Sequence, residues 1–195
     1  RDGPQHRRQD RPGRGAHPLA ETVDAFERLR RAGKIVRWGV SNFDVADMHE
    51  LLALPDGAHC ASNQVLYNLA ERGIEWKLRA LCQQHAMPII AYSPFGQGAL
   101  LADRKLATLA APLNVTPAQL ALAWLLAQPG VIAIPKSANV ARISECRAAA
   151  DVRLSPATLA ELDRHFAGKG HRLWIVAIDV ENRRLNAFGD VRWIG

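Results

Sequence analysis

From Pro18 onward the apolar positions switch between a helical period and a strand period. Val23, Phe26, Leu29 and Ala32 recur on one face and Gly33 offers a stop, which predicts a helix over 20–32. The β-branched and aromatic run 35–40 (IVRWGV) predicts a strand. Asp44 is placed to cap a second helix with Val45, Met48, Leu51 and Leu52 inward, closed by Pro55-Asp56-Gly57. A strand over 60–66 follows, then a helix over 72–86 that buries Ile74, Trp76, Leu78, Leu81 and Cys82, then a strand over 89–92 opened by Pro88. A short helix near 102–110 leads to Thr116-Pro117, an N-cap residue with proline at the first helical position, opening an apolar helix over 117–128. Residues 131–134 predict the fourth strand, Asn139 caps a helix running to about Ala150, and Ser155-Pro156 opens a last helix with Leu159, Leu162 and Phe166 inward. Four strands, each followed by a helix, predict an α/β chain with a parallel sheet and right-handed crossovers.

Both ends break this rhythm. Residues 1–17 are polar and basic, with five arginines and two aspartates among the first fifteen, and predict a solvated tail. In 168–195, the runs 173–180 and 185–193 predict two strands of a hairpin around a polar turn over 181–184. The chain is therefore divided into a basic tail (1–17), a βα core (18–167) and a terminal segment outside the βα pattern (168–195).

Composition fits a globular protein: 48% of the 195 residues are apolar and 23% charged. The longest uncharged apolar run, near 120–127, falls far short of the ~20 residues of a membrane span, and no basic start leads into an apolar signal core. The expectation is a cytoplasmic protein with no membrane partner. Cys60, Cys82 and Cys146 stand at wide spacing without a C-x-x-C, so reduced thiols in packed segments are expected rather than disulfides or a zinc site. The net charge of +6 raises the question of nucleic acid, but the tail contributes about half of it and no reading element accompanies the tail. No nucleic-acid partner is expected.

In parallel α/β proteins, chemistry sits on the loops after the strand C-termini. Here those loops carry Ser41-Asn42, Gln64, Tyr92-Ser93-Pro94 and Pro135-Lys136-Ser137. These amides, hydroxyls, aromatic face and cation suit a planar carboxamide-bearing ring at one end and phosphate at the other. Neither a carboxylate pair nor a histidine cluster appears among them, and no metal ligands are assigned. The run GVSNF over 39–43 begins like a nucleophile elbow but ends in Phe43, and Gly96-Gln97-Gly98 lacks the third glycine of a dinucleotide fingerprint.

Read in order, RWGVSNF (37–43), ASNQVLYN (61–68), PIIAYSPFGQG (88–98) and IPKSANVARISE (134–145) resemble the second half of an aldo-keto reductase, nearest to bacterial members that act on small aldehydes such as methylglyoxal. The resemblance runs from about Pro18 to Phe166. It implies an α/β fold of parallel βα units forming the C-terminal half of a (β/α)8 barrel, an NADPH-dependent carbonyl reduction, and a small aldehyde or ketone as substrate. It further implies that Ser41, Asn42 and Gln64 hold the nicotinamide carboxamide, that Tyr92 stacks on the ring, and that Ser93, Phe95, Gly96 and Gln97 line the pyrophosphate. Lys136, Ser137 and Arg142 are implied to bind the 2′-phosphate, which selects NADPH over NADH, and Glu145 to face the adenine. Cys146 stands where the family usually has a second adenine contact, Asn.

The family's catalytic tyrosine, lysine and aspartate come from the barrel's first half, and its histidine ends the fourth strand; the matching place here reads Gln9-Asp10-Arg11-Pro12-Gly13. The expectation is therefore a truncated or frameshifted form that keeps the cofactor site, has no catalytic residue of its own and is inactive alone. The alternative is a non-catalytic nucleotide-binding or interaction module. At about 150 matched residues against the ~250 of a full barrel, the sheet is expected to keep two open edges that favour self-association.

Overall fold

The predicted alternation of strand and helix is present, and most of its boundaries trace to local capping chemistry. The computed structural model describes residues 18–167 and the backbone of 175–179 and 184–188. Helix α1 (Leu19–Arg31) leads to strand β1 (Val40–Ser41) and helix α2 (Val45–Leu52). Strand β2 (Asn63–Leu66), helix α3 (Leu78–Gln84) and strand β3 (Ile89–Tyr92) follow. Then come α4 (Arg104–Ala110), α5 (Pro117–Leu126), strand β4 (Val131–Ala133), α6 (Val140–Ala148) and α7 (Pro156–Phe166). The predicted caps are made: Asp44 Oδ1 accepts from the Asp47 amide at 2.9 Å, Thr116 Oγ1 from Gln119 at 3.1 Å, Asn139 Oδ1 from Arg142 at 3.1 Å and Ser155 Oγ from Thr158 at 3.1 Å.

The four strands form one parallel sheet in the order β1-β2-β3-β4. Val40 pairs with Asn63, Asn63 with Ile89, and Ile89 with Val131. Because side chains alternate across a strand, Val65, Ile89 and Ala91 turn toward the helices and are buried. Gln64, Ile90, Tyr92 and Ile132 share the other face, which would be the interior of a closed barrel, and there Ile132 remains 49% exposed. One core gathers Tyr67, Leu106, Leu120, Trp124, Leu162 and Phe166 between β2, β3 and helices α4, α5 and α7. A second joins Val23, Trp38, Met48, Leu51, Val65 and Cys82. Strands β5 (Ile175–Asp179) and β6 (Arg184–Phe188) pair antiparallel as a separate two-stranded sheet.

Three expectations need correction. The strand expected over 35–40 shrinks to Val40–Ser41. Among the described strands it has a single neighbour, and the indole of Trp38 turns back to donate to Glu27 Oε1 at 2.7 Å while stacking on Phe26. On α1 the inward face carries Val23 and Glu27, not Leu29, which is 38% exposed. The helix expected over 72–86 divides into a 3-10 turn, Gly73–Glu75, and α3, with Trp76 turned to solvent. There Arg72 pairs with both Glu75 and Asp163, and the Tyr67 hydroxyl donates to Glu75 Oε1 at 2.7 Å, which fixes the turn away from a continuous helix.

All three cysteines are free, Cys60 and Cys82 buried and Cys146 partly so; burial, with the charge of Cys60 adding to it, pushes the Cys82 thiol up to about 11. Among the described residues no single helix is long and apolar enough to cross a membrane.

Candidate functional site

The C-terminal ends of β1, β2 and β3 bring four of the expected residues together. Ser41 closes β1, and its hydroxyl donates to the Gln64 carbonyl at 3.1 Å. Asn42 follows with φ 56°, a left-handed conformation that asparagine tolerates better than most residues. Its backbone N–H continues the ladder to the Gln64 carbonyl at 2.8 Å, and its side-chain amide donates to Ser41 Oγ at 3.3 Å. From the end of β3 the Tyr92 hydroxyl donates to Asn42 Oδ1 at 2.9 Å. Ser41, Asn42 and Tyr92 are thus one hydrogen-bonded chain at a strand-end rim, and Gln64, paired with Ser41 in register, stands beside it.

The loop after β3 has an unusual backbone. Ser93 (φ 50°), Gly96 (φ 55°), Gln97 (φ 57°) and Gly98 (φ 97°) are all left-handed, and the Gly96 and Gly98 amides donate to the Ser93 and Phe95 carbonyls at 2.9 Å. A side chain at Gly98 would meet nothing within 4 Å, so its backbone is open to a ligand.

Lys136, Ser137 and Arg142 lie beyond β4, in the loop and first turn of α6. Ser137 Oγ accepts from the Asn139 amide at 3.1 Å, which winds this loop into the start of α6, whose free backbone amides and dipole favour an anion. Glu145 lies further along α6 and is held from α5. The Thr116 hydroxyl donates to its Oε1 at 2.5 Å and the Gln119 amide reaches its backbone carbonyl at 3.4 Å, so the capping residues of α5 hold it. Cys146 lines a cavity of about 280 Å³ between α5, β4 and α6, with Leu122, Leu126, Ile143 and Arg147.

Four residues that matter here escape sequence reasoning. Asn63, which opens β2, and Asn68, just beyond its end, are completely buried polar residues, and their side-chain amides donate to the Phe43 and Ser93 carbonyls, each at 2.9 Å. The only signal in the sequence is an asparagine at each end of an apolar run, which reads as turn chemistry. Thr116 was recognised as a cap but not as a partner of Glu145. Glu27, within a polar stretch of α1, is buried with Trp38, Arg30 and His59 around it. Glu27, Asp56 and His59 bring ligand-type atoms within 4.8 Å of one another, but Arg30 already matches the Glu27 charge through a two-point contact at 2.7 and 2.9 Å.

Comparison with known proteins places this arrangement. A family model described as the aldo/keto reductase family matches residues 10–167, beginning ahead of Pro18, where the resemblance read from the sequence starts. The chain is 48% identical over 162 residues to methylglyoxal reductase YeaE of Escherichia coli, covering 80% of this chain and 57% of that protein. It is 36% identical over 149 residues to glyoxal reductase of Bacillus subtilis, covering 76% and 52% respectively. Among solved structures, an aldo/keto reductase of Klebsiella pneumoniae in complex with NADP and acetate superposes with TM-score 0.76 at 48% identity, over 78% of this chain and 56% of that one. A second from the same organism, in complex with NADPH, gives TM-score 0.76 at 46% identity, over 84% and 60%. The chain spans about half the length of the curated relatives it matches.

Proposed function

Because the chain belongs to the aldo/keto reductase family, we propose that it supplies the NADPH-binding half of a carbonyl reductase acting on small aldehydes or ketones. The observation that carries this reading is the Ser41–Asn42–Tyr92 chain beside Gln64, which gathers amide, hydroxyl and aromatic groups at one strand-end rim. Relatives support the cofactor and substrate class: two solved structures of the family hold NADP or NADPH, and two curated relatives are named for methylglyoxal and glyoxal.

When bound, the nicotinamide supplies a hydride to the carbonyl carbon. Tyr92 would offer a ring face for the nicotinamide to stack on, while Asn42 and Ser41, with Gln64, would offer donors and acceptors for its carboxamide. The left-handed turn that carries Ser93, Phe95, Gly96 and Gln97, with open space beside Gly98, would take the pyrophosphate. Lys136, Ser137 and Arg142 give the 2′-phosphate a charged cradle at the start of α6, which favours NADPH over NADH. Glu145 on α6 would face the adenine, with the Thr116 hydroxyl already donating to its Oε1.

The reduced carbonyl oxygen also needs a proton, and neither tyrosine of the chain fits that role. Tyr67 is fully buried, and burial together with its hydrogen bond to Glu75 pushes its hydroxyl well above the usual tyrosine range. The Tyr92 hydroxyl is committed to Asn42. We therefore assign the acid role to neither tyrosine. The lysine-paired tyrosine and the histidine of the family lie outside this reading; the segment at Gln9–Gly13 falls outside the described residues.

Fluorescence titration tests the assignment. Lys136→Ala is expected to weaken NADPH roughly tenfold or more, the loss of a charge-assisted contact, while leaving NADH binding unchanged. Equal losses for both nucleotides would remove the 2′-phosphate assignment, and absence of NADPH binding by the parent chain would remove the function. Binding without methylglyoxal reduction is the expected outcome for the chain alone.

A further inference from the structure

We propose that Asn68 is a positioning residue for the loop after β3, setting the shape of the pyrophosphate seat without touching the nucleotide. The proposal rests on the NADPH reading above.

Asn68 lies just beyond the end of β2 and has no solvent exposure. Its Oδ1 accepts from the Ala70 and Glu71 amides, each at 2.9 Å, so its orientation is fixed by two backbone donors. Its Nδ2 is thereby aimed across the strand ends at the Ser93 carbonyl, to which it donates at 2.9 Å. The same carbonyl accepts the Gly96 amide at 2.9 Å, which closes the 93–96 turn. Ser93 and Gln97 both hold left-handed backbone that side chains disfavour, and such a conformation persists only where its surroundings hold it. Asn68 supplies that hold: one buried amide ties the adjacent strand end to the carbonyl on which the loop turns.

Asn68→Asp separates this role from general structure. It has nearly the same shape and keeps the acceptor for Ala70 and Glu71, but it replaces the donor facing Ser93 with an oxygen. Asn68→Ala removes both contacts and serves as the second variant. The probes are NADPH, which spans the seat, and adenosine 2′-phosphate, which reaches only the Lys136, Ser137 and Arg142 end. Asn68→Asp is expected to weaken NADPH about tenfold and to leave adenosine 2′-phosphate binding unchanged. Unchanged NADPH affinity would overturn the proposal, and so would parallel loss of both ligands. Amide hydrogen exchange provides a readout that needs no nucleotide: the Gly96 and Gly98 amides are expected to exchange faster in Asn68→Asp. If the parent chain fails to bind NADPH, the functional reading falls, whereas unaltered exchange at Gly96 and Gly98 removes the anchoring role itself.

Discussion

At position 27 a carboxylate has been taken out of water and kept ionised. The hydrogen bonds from Arg30 and then Trp38, followed by the charges of Arg30 and His59, outweigh burial and hold Glu27 at about 2, below its ordinary value of 4.5. A folded-state value below the unfolded one contributes stability that is complete above about pH 4.3 and is lost as pH falls through the folded value. Urea denaturation of Glu27→Gln should therefore show a lower midpoint than the parent at pH 7. The gap should narrow between about pH 4.5 and 2, and a gap independent of pH would show that ionisation is not its source. Nothing local in the sequence announces this residue. A glutamate between Phe26 and Arg28 reads as solvent-facing, and two of its partners, Trp38 and His59, arrive from separate segments.

The elements whose ends rest on neighbouring residues were the legible ones. Thr116, Asn139 and Ser155 each accept from an amide three positions away, so the starts of α5, α6 and α7 could be read directly. The break ahead of α3 was not legible, because it depends on Tyr67 meeting Glu75 and on Arg72 meeting Asp163, 91 residues further along. Thr116 joins both kinds of contact, capping α5 while donating to Glu145 on α6. Thr116→Val keeps the shape and removes both bonds; chemical denaturation should show a loss of about 1 kcal/mol, recovered in Thr116→Ser. A loss no larger than that of an exposed substitution would mean that the cap contributes little.

The sheet as a unit has strands β1 and β4 at its margins, each with one neighbour among the described strands. Ile132 and Ile134, at 49% and 41% exposure, stand at the β4 margin. Unpaired margins with apolar side chains favour pairing with other chains, and a lysine there opposes it. Ile132→Lys is expected to lower the apparent mass in light scattering at fixed concentration while circular dichroism stays the same. An already monodisperse parent would contradict the expected self-association.

At this level the barrel-half architecture and the rim residues were readable because strand order alone puts loop ends together. The buried asparagines that hold those loops were not, since their side chains donate to the Phe43 and Ser93 carbonyls, which other segments bring to them. The hydrogen bond from Tyr92 to Asn42 has a consequence for selectivity. The rim groups already satisfy one another, so a ring binding there would have to replace an existing partner. A carboxamide can answer both a donor and an acceptor, whereas a carboxylate or ester on the same ring would leave one of them unanswered, and the site would discriminate between such ligands by that deficit.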